Sequence, residues 1–132
     1  MDYAAVRDLV IYHYHHSGRD EIKAHEIYHD DAILELPQSG ERFVGKQTFL
    51  AWRAKYPAKL DFKIRRIGGS GDFWVAEGLI SYDDSPWMFT IKIMQFRGEK
   101  VAKESVYVMD GFEAPAWRAE WTEQFDPFQA LE

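Results

Sequence analysis

Apolar residues at Val6, Leu9, Val10 and Tyr14 recur with a helical period over residues 2–17, and Ser17-Gly18 ends that pattern, so the spacing predicts a first helix. Asp20 is placed to cap a second, shorter helix that runs to about Tyr28 and closes at His29-Asp30-Asp31. The run Ala32-Ile33-Leu34-Glu35-Leu36 then predicts a strand stopped by Pro37. Residues 38–45 read as a polar loop. A third amphipathic helix follows, with Phe49, Trp52 and Tyr56 on one side and its end at Pro57. From Leu60 the period changes to two. Residues 60–67, 73–82, 87–97 and 100–109 predict strands separated by turns at 68–72, 83–86 and Gly98-Glu99, an antiparallel meander. In the tail, Trp117, Trp121 and Phe125 fall at successive turns and predict a short helix within residues 114–125.

The turns assign the strand faces. A two-residue loop at Gly98-Glu99 pairs Ile93 with Glu104, Ile91 with Val106 and Phe89 with Val108. Closing the 83–86 turn so that Tyr82 meets Trp87 adds Trp74, Ala76, Gly78, Ile80 and Tyr82 to the same, richly aromatic side. The other side then holds Glu77 beside Lys92, with Leu79, Ser81, Thr90, Lys103, Ser105 and Tyr107. A slip of one residue would exchange the two faces. On the aromatic side, the small residues Ala76 and Gly78 either interlock with large neighbours or leave a cavity.

Composition narrows the function classes. With 132 residues the chain reads as one domain, residues 1–132, with no room for a separate cofactor module. Sixteen Lys and Arg against 22 Asp and Glu give a net charge of −6, which speaks against binding to nucleic acid or to an anionic membrane. A 46% hydrophobic and 16% aromatic content supplies a core and excludes disorder. Without cysteine there is no disulfide, thiolate metal site or thiol nucleophile. No apolar stretch is long enough for a membrane span, the charged start does not read as a signal peptide, and a cytoplasmic location is the expectation.

Three motifs carry candidate chemistry. His25-Glu26-Ile27-Tyr28-His29 spells H-E-x-x-H, which on a long helix would present two imidazoles to zinc. Here the helix is short and no downstream histidine supplies a third ligand, so the expectation is a solvated helix end and no metal. His13, His15 and His16 cluster at the end of the first helix and read as a polar helix end. Glu104 is the sharpest signal. Among Ile91, Ile93 and Val106 its carboxyl would be desolvated and its pKa raised, making it a candidate acid or base. The alternative is that Glu104 hydrogen-bonds a neighbour such as Gln95, Tyr12 or His13 and orders the core.

The order helix, helix, strand, helix and meander, with Tyr28-His29-Asp30-Asp31-Ala32 opening the first strand, resembles the nuclear-transport-factor-2-like superfamily. Residues 37–43, 69–72 and 112–118 resemble its SnoaL-like bacterial branch. The resemblance implies an α+β cone, in which three helices pack on a strongly curved, mostly antiparallel sheet around a hydrophobic pocket, and dimers that pair through the outer sheet face. It also places Tyr12 where ketosteroid isomerases carry an oxyanion-binding tyrosine. Their two acid positions fall on Leu36 and Ile93, so that mechanism is not expected here.

The expected function is therefore a small-molecule pocket protein, a cofactor-free lyase, isomerase or cyclase acting on an apolar, polyketide-like or aromatic compound. Glu104 would move a proton, Tyr12 would hydrogen-bond an oxyanion, and Gln38 or Gln95 would orient the substrate. The expected walls are Leu34, Leu36, Phe49, Trp52, Trp74, Tyr82, Trp87, Phe89, Ile91, Ile93, Val106 and Val108. The alternative is a ligand-binding homodimer without turnover. A third reading is a structural homodimer with a filled core, for which the outer-face residues Phe73, Val75, Leu79, Met88, Met94, Phe96 and Tyr107 supply the apolar interface.

Overall fold

Asp2 accepts a hydrogen bond from the Ala5 N–H at 2.9 Å and opens α1 (Tyr3–His16). The helix ends where the Ser17 N–H and hydroxyl both donate to the His13 carbonyl, at 3.0 and 2.7 Å. Gly18 follows with φ +80°, and a Cβ there would lie 2.4 Å from the Leu60 carbonyl oxygen, so the turn requires glycine twice over. Val6, Val10, His13 and Tyr14 form the buried stripe of this helix.

The computed structural model describes residues 1–131, with α1, α2 (Glu21–Ala24) and α3 (Lys46–Ala54) against one six-stranded sheet. The strands are β1 (Tyr28–Leu36), β2 (Glu41–Val44), β3 (Leu60–Ser70), β4 (Phe73–Tyr82), β5 (Met88–Arg97) and β6 (Lys100–Met109). Their order is β2-β1-β6-β5-β4-β3, and all neighbours are antiparallel except β1 and β6, which run parallel. This is the expected α+β architecture of helices on a mostly antiparallel sheet.

Three elements depart from the sequence pattern. The second helix stops at Ala24, a 3₁₀ turn covers His25–Ile27, and β1 begins at Tyr28, four residues before the expected strand. Tyr28 is buried at the start of this strand, and its hydroxyl reaches Glu104 from there. The expected loop after Pro37 contains β2, paired to β1 from Leu36 with Glu41 to Ile33 with Val44. The tail holds only a 3₁₀ turn at Ala116–Arg118 in place of a helix.

The strand registers are the consequential difference. Asp83 and Asp84 both take positive φ in a tight turn closed by the Ser85 N–H on the Tyr82 carbonyl, and this sets Ile80 opposite Met88 rather than Tyr82 opposite Trp87. At the far hairpin, Arg97 pairs with Lys100 and Phe96 with Val101 as expected, but Gln95 pairs with Lys103. The skipped residue, Ala102, is a β-bulge. Glu104 therefore sits opposite Met94, Val106 opposite Lys92 and Val108 opposite Thr90. The two one-residue slips cancel for β4 and β6, whose inner residues are as expected, and exchange the faces of β5. Lys92, Thr90 and Met94 face inward, whereas Ile91 and Ile93 face outward opposite Glu77 and Val75. Glu77 pairs not with Lys92 but with Arg65 and Arg66, at 3.0 and 2.6 Å.

Gly78 lies at the crossing of α1 over the sheet. A Cβ there would come within 2.8 Å of Thr90 Oγ1, 2.9 Å of the Lys63 carbonyl oxygen and 3.0 Å of Tyr14 Cε2. The space its missing side chain frees is filled by Tyr14, so Ala76 and Gly78 interlock with the helix and the cavity lies elsewhere. On the outer face the tail returns along the sheet: Phe128 stacks on Phe89 at 5.8 Å, Arg65 lies over Phe125, and the Leu131 N–H donates to the Ile64 carbonyl.

Candidate functional site

A cavity of about 200 Å³ lies between α1, α2, α3 and the inner face of β4, β5 and β6. Its buried floor is polar: His13 from α1, His25 from the 3₁₀ turn, Thr90 and Lys92 from β5 and Glu104 from β6. Its half-buried walls are apolar and aromatic, formed by Leu36, Phe49, Tyr56, Phe62, Tyr82, Val106 and Val108, with the more exposed Trp52 beside them. The β-bulge at Ala102 puts Glu104 on this floor, and Lys92 is its diagonal neighbour on the adjacent strand.

Glu104 is 1% exposed. Its Oε2 accepts a hydrogen bond from the Tyr28 hydroxyl at 2.9 Å, while its Oε1 has no partner among the described residues. Burial pushes its pKa up, opposed by the attraction of Lys92 and by the Tyr28 hydrogen bond. The Tyr28 hydroxyl is itself held well above its ordinary range by burial and by the neighbouring Glu104, so it stays a donor. Glu104 is thus a buried carboxyl, biased toward its protonated form, with one oxygen engaged and the other without a partner among the described residues.

A second chain of polar contacts runs alongside. The His13 Nδ1 lies 2.6 Å from the Ala24 carbonyl oxygen, which fixes the proton on Nδ1 and leaves Nε2 to accept from Lys92 Nζ at 2.9 Å. Burial first, and then the Lys92 charge, hold His13 well below its ordinary pKa, so it is the neutral imidazole. Lys92 Nζ also lies 4.7 Å above the centre of the Tyr14 ring. Burial lowers its pKa, against the pull of Glu104. His25 donates from Nδ1 to the Glu21 carbonyl at 2.6 Å, its Nε2 is unpartnered among the described residues, and burial lowers its pKa to about 4. Arg53 of α3 is tied to the Glu21 carboxylate at 3.0 Å and borders the same cavity.

Of the expected site residues, the structure brings together Glu104, Leu36, Phe49, Trp52, Tyr82, Val106 and Val108. Tyr12 is 40% exposed on the other side of α1, in edge contact with His16, and does not border the cavity. A helix turns 100° per residue, and it is His13 that points inward. Leu34 and Trp74 are buried in the core; Leu34 pairs with Glu104 across the parallel strands, and Trp74 packs near Tyr3. Gln38 is exposed and closes a pair of 2.7 Å hydrogen bonds with the Val108 backbone, which holds the β1 end against β6. Gln95 is exposed, and Trp87, Phe89 and Ile91 border an open groove on the outer face. Ile93 also faces outward, so the acid position read onto it by strand pairing rested on the slipped register. Met94 and Phe96, expected outside, are core residues. The H-E-x-x-H histidines share no helix face: His25 is buried in the 3₁₀ turn, and His29 lies on β1 with its ring at the Arg97 carbonyl.

Sequence reasoning missed Lys92 and His25 as cavity groups and named His13 only as one of three neighbours for Glu104, whereas Glu104 is bonded by Tyr28 and His13 by Lys92. The signal for Lys92 was present as one lysine in the middle of an otherwise apolar strand. Among the described residues no group of three or more His, Cys, Asp or Glu side chains is placed to hold a metal ion.

No protein-family model and no curated protein matches the chain. Solved structures do. An NTF-2 like protein of unknown function from Burkholderia xenovorans LB400 is 41% identical, with 93% of this chain and 97% of that one covered and a TM-score of 0.86. A candidate ketosteroid isomerase from Kribbella flavida DSM 17836 shares 18% identity over 93% and 91% of the chains, with a TM-score of 0.79. A candidate polyketide cyclase from Sinorhizobium meliloti shares 18% over 78% and 98%, with a TM-score of 0.65. The last two share the fold. The first, similar over nearly the whole of both chains, shows that this chain belongs to the NTF2-like family.

Proposed function

We infer that the chain binds a small, largely apolar molecule with its polar end on the cavity floor, and that Glu104 moves a proton on it in a cofactor-free isomerase, lyase or cyclase reaction. The observation that carries this reading is the free Oε1 of a fully buried carboxyl at the base of an aromatic-walled cavity. A structural glutamate would be expected to use both oxygens, because an unmade hydrogen bond on a buried polar atom costs about 1–3 kcal/mol. A volume of about 200 Å³ is below the roughly 300–1,000 Å³ usual for drug-sized ligands, which favours a single ring or a short chain over a fused polycycle. The fold neighbours described as isomerase and cyclase candidates are consistent with this class of chemistry.

The test is solvent deuterium exchange into the α-position of small aryl ketones, with binding followed through Trp52 fluorescence. Exchange that disappears in Glu104→Gln while binding persists supports the reading. Binding without exchange in the unaltered chain supports instead a ligand carrier, a reading favoured by Leu36 standing at one of the isomerase acid positions.

The same reading includes a homodimer through the outer sheet face. Its support is the open groove between Trp87, Phe89 and Ile91 and the tail residues Phe112, Phe125 and Phe128, together with Trp117 and Trp121, each 72% exposed. Sedimentation at micromolar concentration should show a dimer, and Trp121→Glu should shift it to monomer.

A further inference from the structure

Proton transfer by Glu104 leaves the second ionisable group of the floor without a task. Lys92 is only 9% exposed, projects from the middle of β5, and among the described residues forms no ion pair with a carboxylate. Its hydrogen-bond partner, the imidazole of His13, accepts through Nε2 and cannot neutralise a charge. Nζ lies 4.7 and 5.8 Å from the centres of the Tyr14 and Phe62 rings, whose faces exclude water from it and at the same time favour its charged form. A buried ammonium without a paired carboxylate is costly, and the usual resolution is loss of its proton. The other groups facing it are Glu104 on β6, Arg53 on α3 and Glu21 at the start of α2; the two carboxylates favour the ammonium, and Arg53 opposes it. Burial thus biases Lys92 toward the free amine, whose lone pair would stand on the cavity floor near the Glu104 carboxyl, the pairing of groups that amine catalysis uses.

We propose that Lys92 is a nucleophilic amine that condenses with the carbonyl carbon of a small aldehyde or ketone held in the cavity, forming an imine. In this step the Nζ lone pair forms the new C–N bond while the carbonyl π pair moves to oxygen, which takes a proton. The nitrogen gives one of its two protons to that oxygen, and a second proton, delivered by Glu104, lets the oxygen leave as water. Amine, carbonyl and that proton give the protonated imine and one water, with Glu104 left as the carboxylate and no oxidant or reductant consumed. The iminium then acidifies the adjacent C–H, which is the proton Glu104 is placed to take. The proposal rests on the cavity being a ligand site with Glu104 as its proton carrier, and it names carbonyl compounds as the substrate class.

Reductive trapping tests it on the full chain. The protein is incubated at pH 7 with propanal, benzaldehyde or 3-phenylpropanal and sodium cyanoborohydride, and the modified lysines are located by peptide mass mapping. Labelling at Lys92 should exceed that at the exposed Lys100 and Lys103 by tenfold or more, and the excess should widen from pH 9 to 7 because burial lowers the Lys92 pKa. Lys92→Met, which keeps a buried unbranched chain, should lose the preferred adduct and still quench Trp52 fluorescence with the same aldehydes. Glu104→Gln should slow adduct formation without abolishing binding. Quenching with Lys92 no more labelled than surface lysines overturns the amine proposal and leaves the cavity reading standing. Neither quenching nor labelling in the cavity with any of the three aldehydes overturns both.

Discussion

Glu104 and Gly78 show how single side chains are held to their tasks by what they touch. Burial raises the Glu104 pKa and so favours its neutral form, and Glu104→Gln, a neutral isostere that still accepts from Tyr28, should change stability by no more than ~1 kcal/mol in thermal melts. A large loss of melting temperature would instead make the carboxyl a core-ordering group. Gly78 is the opposite case. Two of the contacts a Cβ would make there are closer than real Cβ atoms tolerate, and one of them is the Lys63 backbone oxygen, which cannot swing away. Gly78→Ala should therefore destabilise by about 1–3 kcal/mol in urea titrations, although alanine suits a strand better than glycine.

At the scale of elements, what could be read from the sequence was whatever depends on period alone. The 3.6-residue stripe of Val6, Val10 and Tyr14 and the alternation through β3 to β6 specify α1 and the meander, and the inner faces of β4 and β6 agree with the observed ones. What could not be read was where the ladder gains or loses one residue. The tight turn at Asp83-Asp84, with both residues at positive φ, and the bulge at Ala102 leave no signature in hydrophobic alternation, yet they decide whether Lys92 or Ile93 points inward. β2 shows no period because Glu41-Arg42-Phe43-Val44 is short and polar, and the start of β1 is hidden in the sequence because its first residues are charged and only Tyr28 is pinned by the core. The site was thus half legible: its acid could be found, while its amine and imidazoles depended on register and on one helical step from Tyr12 to His13. Ala102 is the one residue of this stretch without a partner across the ladder, so deleting it should leave Phe96 opposite Val101, Gln95 opposite Lys103 and Glu104 inward opposite Met94; the response of tryptophan fluorescence to aryl ketones should persist, and its loss would mean that the extra residue is needed to aim the carboxyl.

Over the whole molecule the buried titratable groups pull stability in opposite directions as pH changes. His13 and His25 are both depressed, so above about pH 6.5 they are neutral folded or unfolded; as pH falls below that, the unfolded chain takes up protons that the native state refuses until its own lower pKa, about 4 for His25, is reached. Their contribution is therefore present above pH 6.5 and lost on acidification. Glu104 has the opposite sign. Its raised pKa means that the native state binds a proton before the unfolded chain does, so its contribution is present below the ordinary carboxylate range and lost as pH rises through the folded value. Glu21 and Glu77 are depressed by their arginine partners, and their losses fall below about pH 4.5. Lys92, also depressed by burial, has the same sign as the two histidines, so these groups outnumber Glu104 and the urea midpoint should decline from pH 6.5 to 4.5. His25→Gln should flatten the decline, and Glu104→Gln, by removing the one group that opposes it, should steepen it. A midpoint that stays level to pH 4.5 in all three proteins would mean that the floor of the cavity is wetter and less constrained than its packing implies.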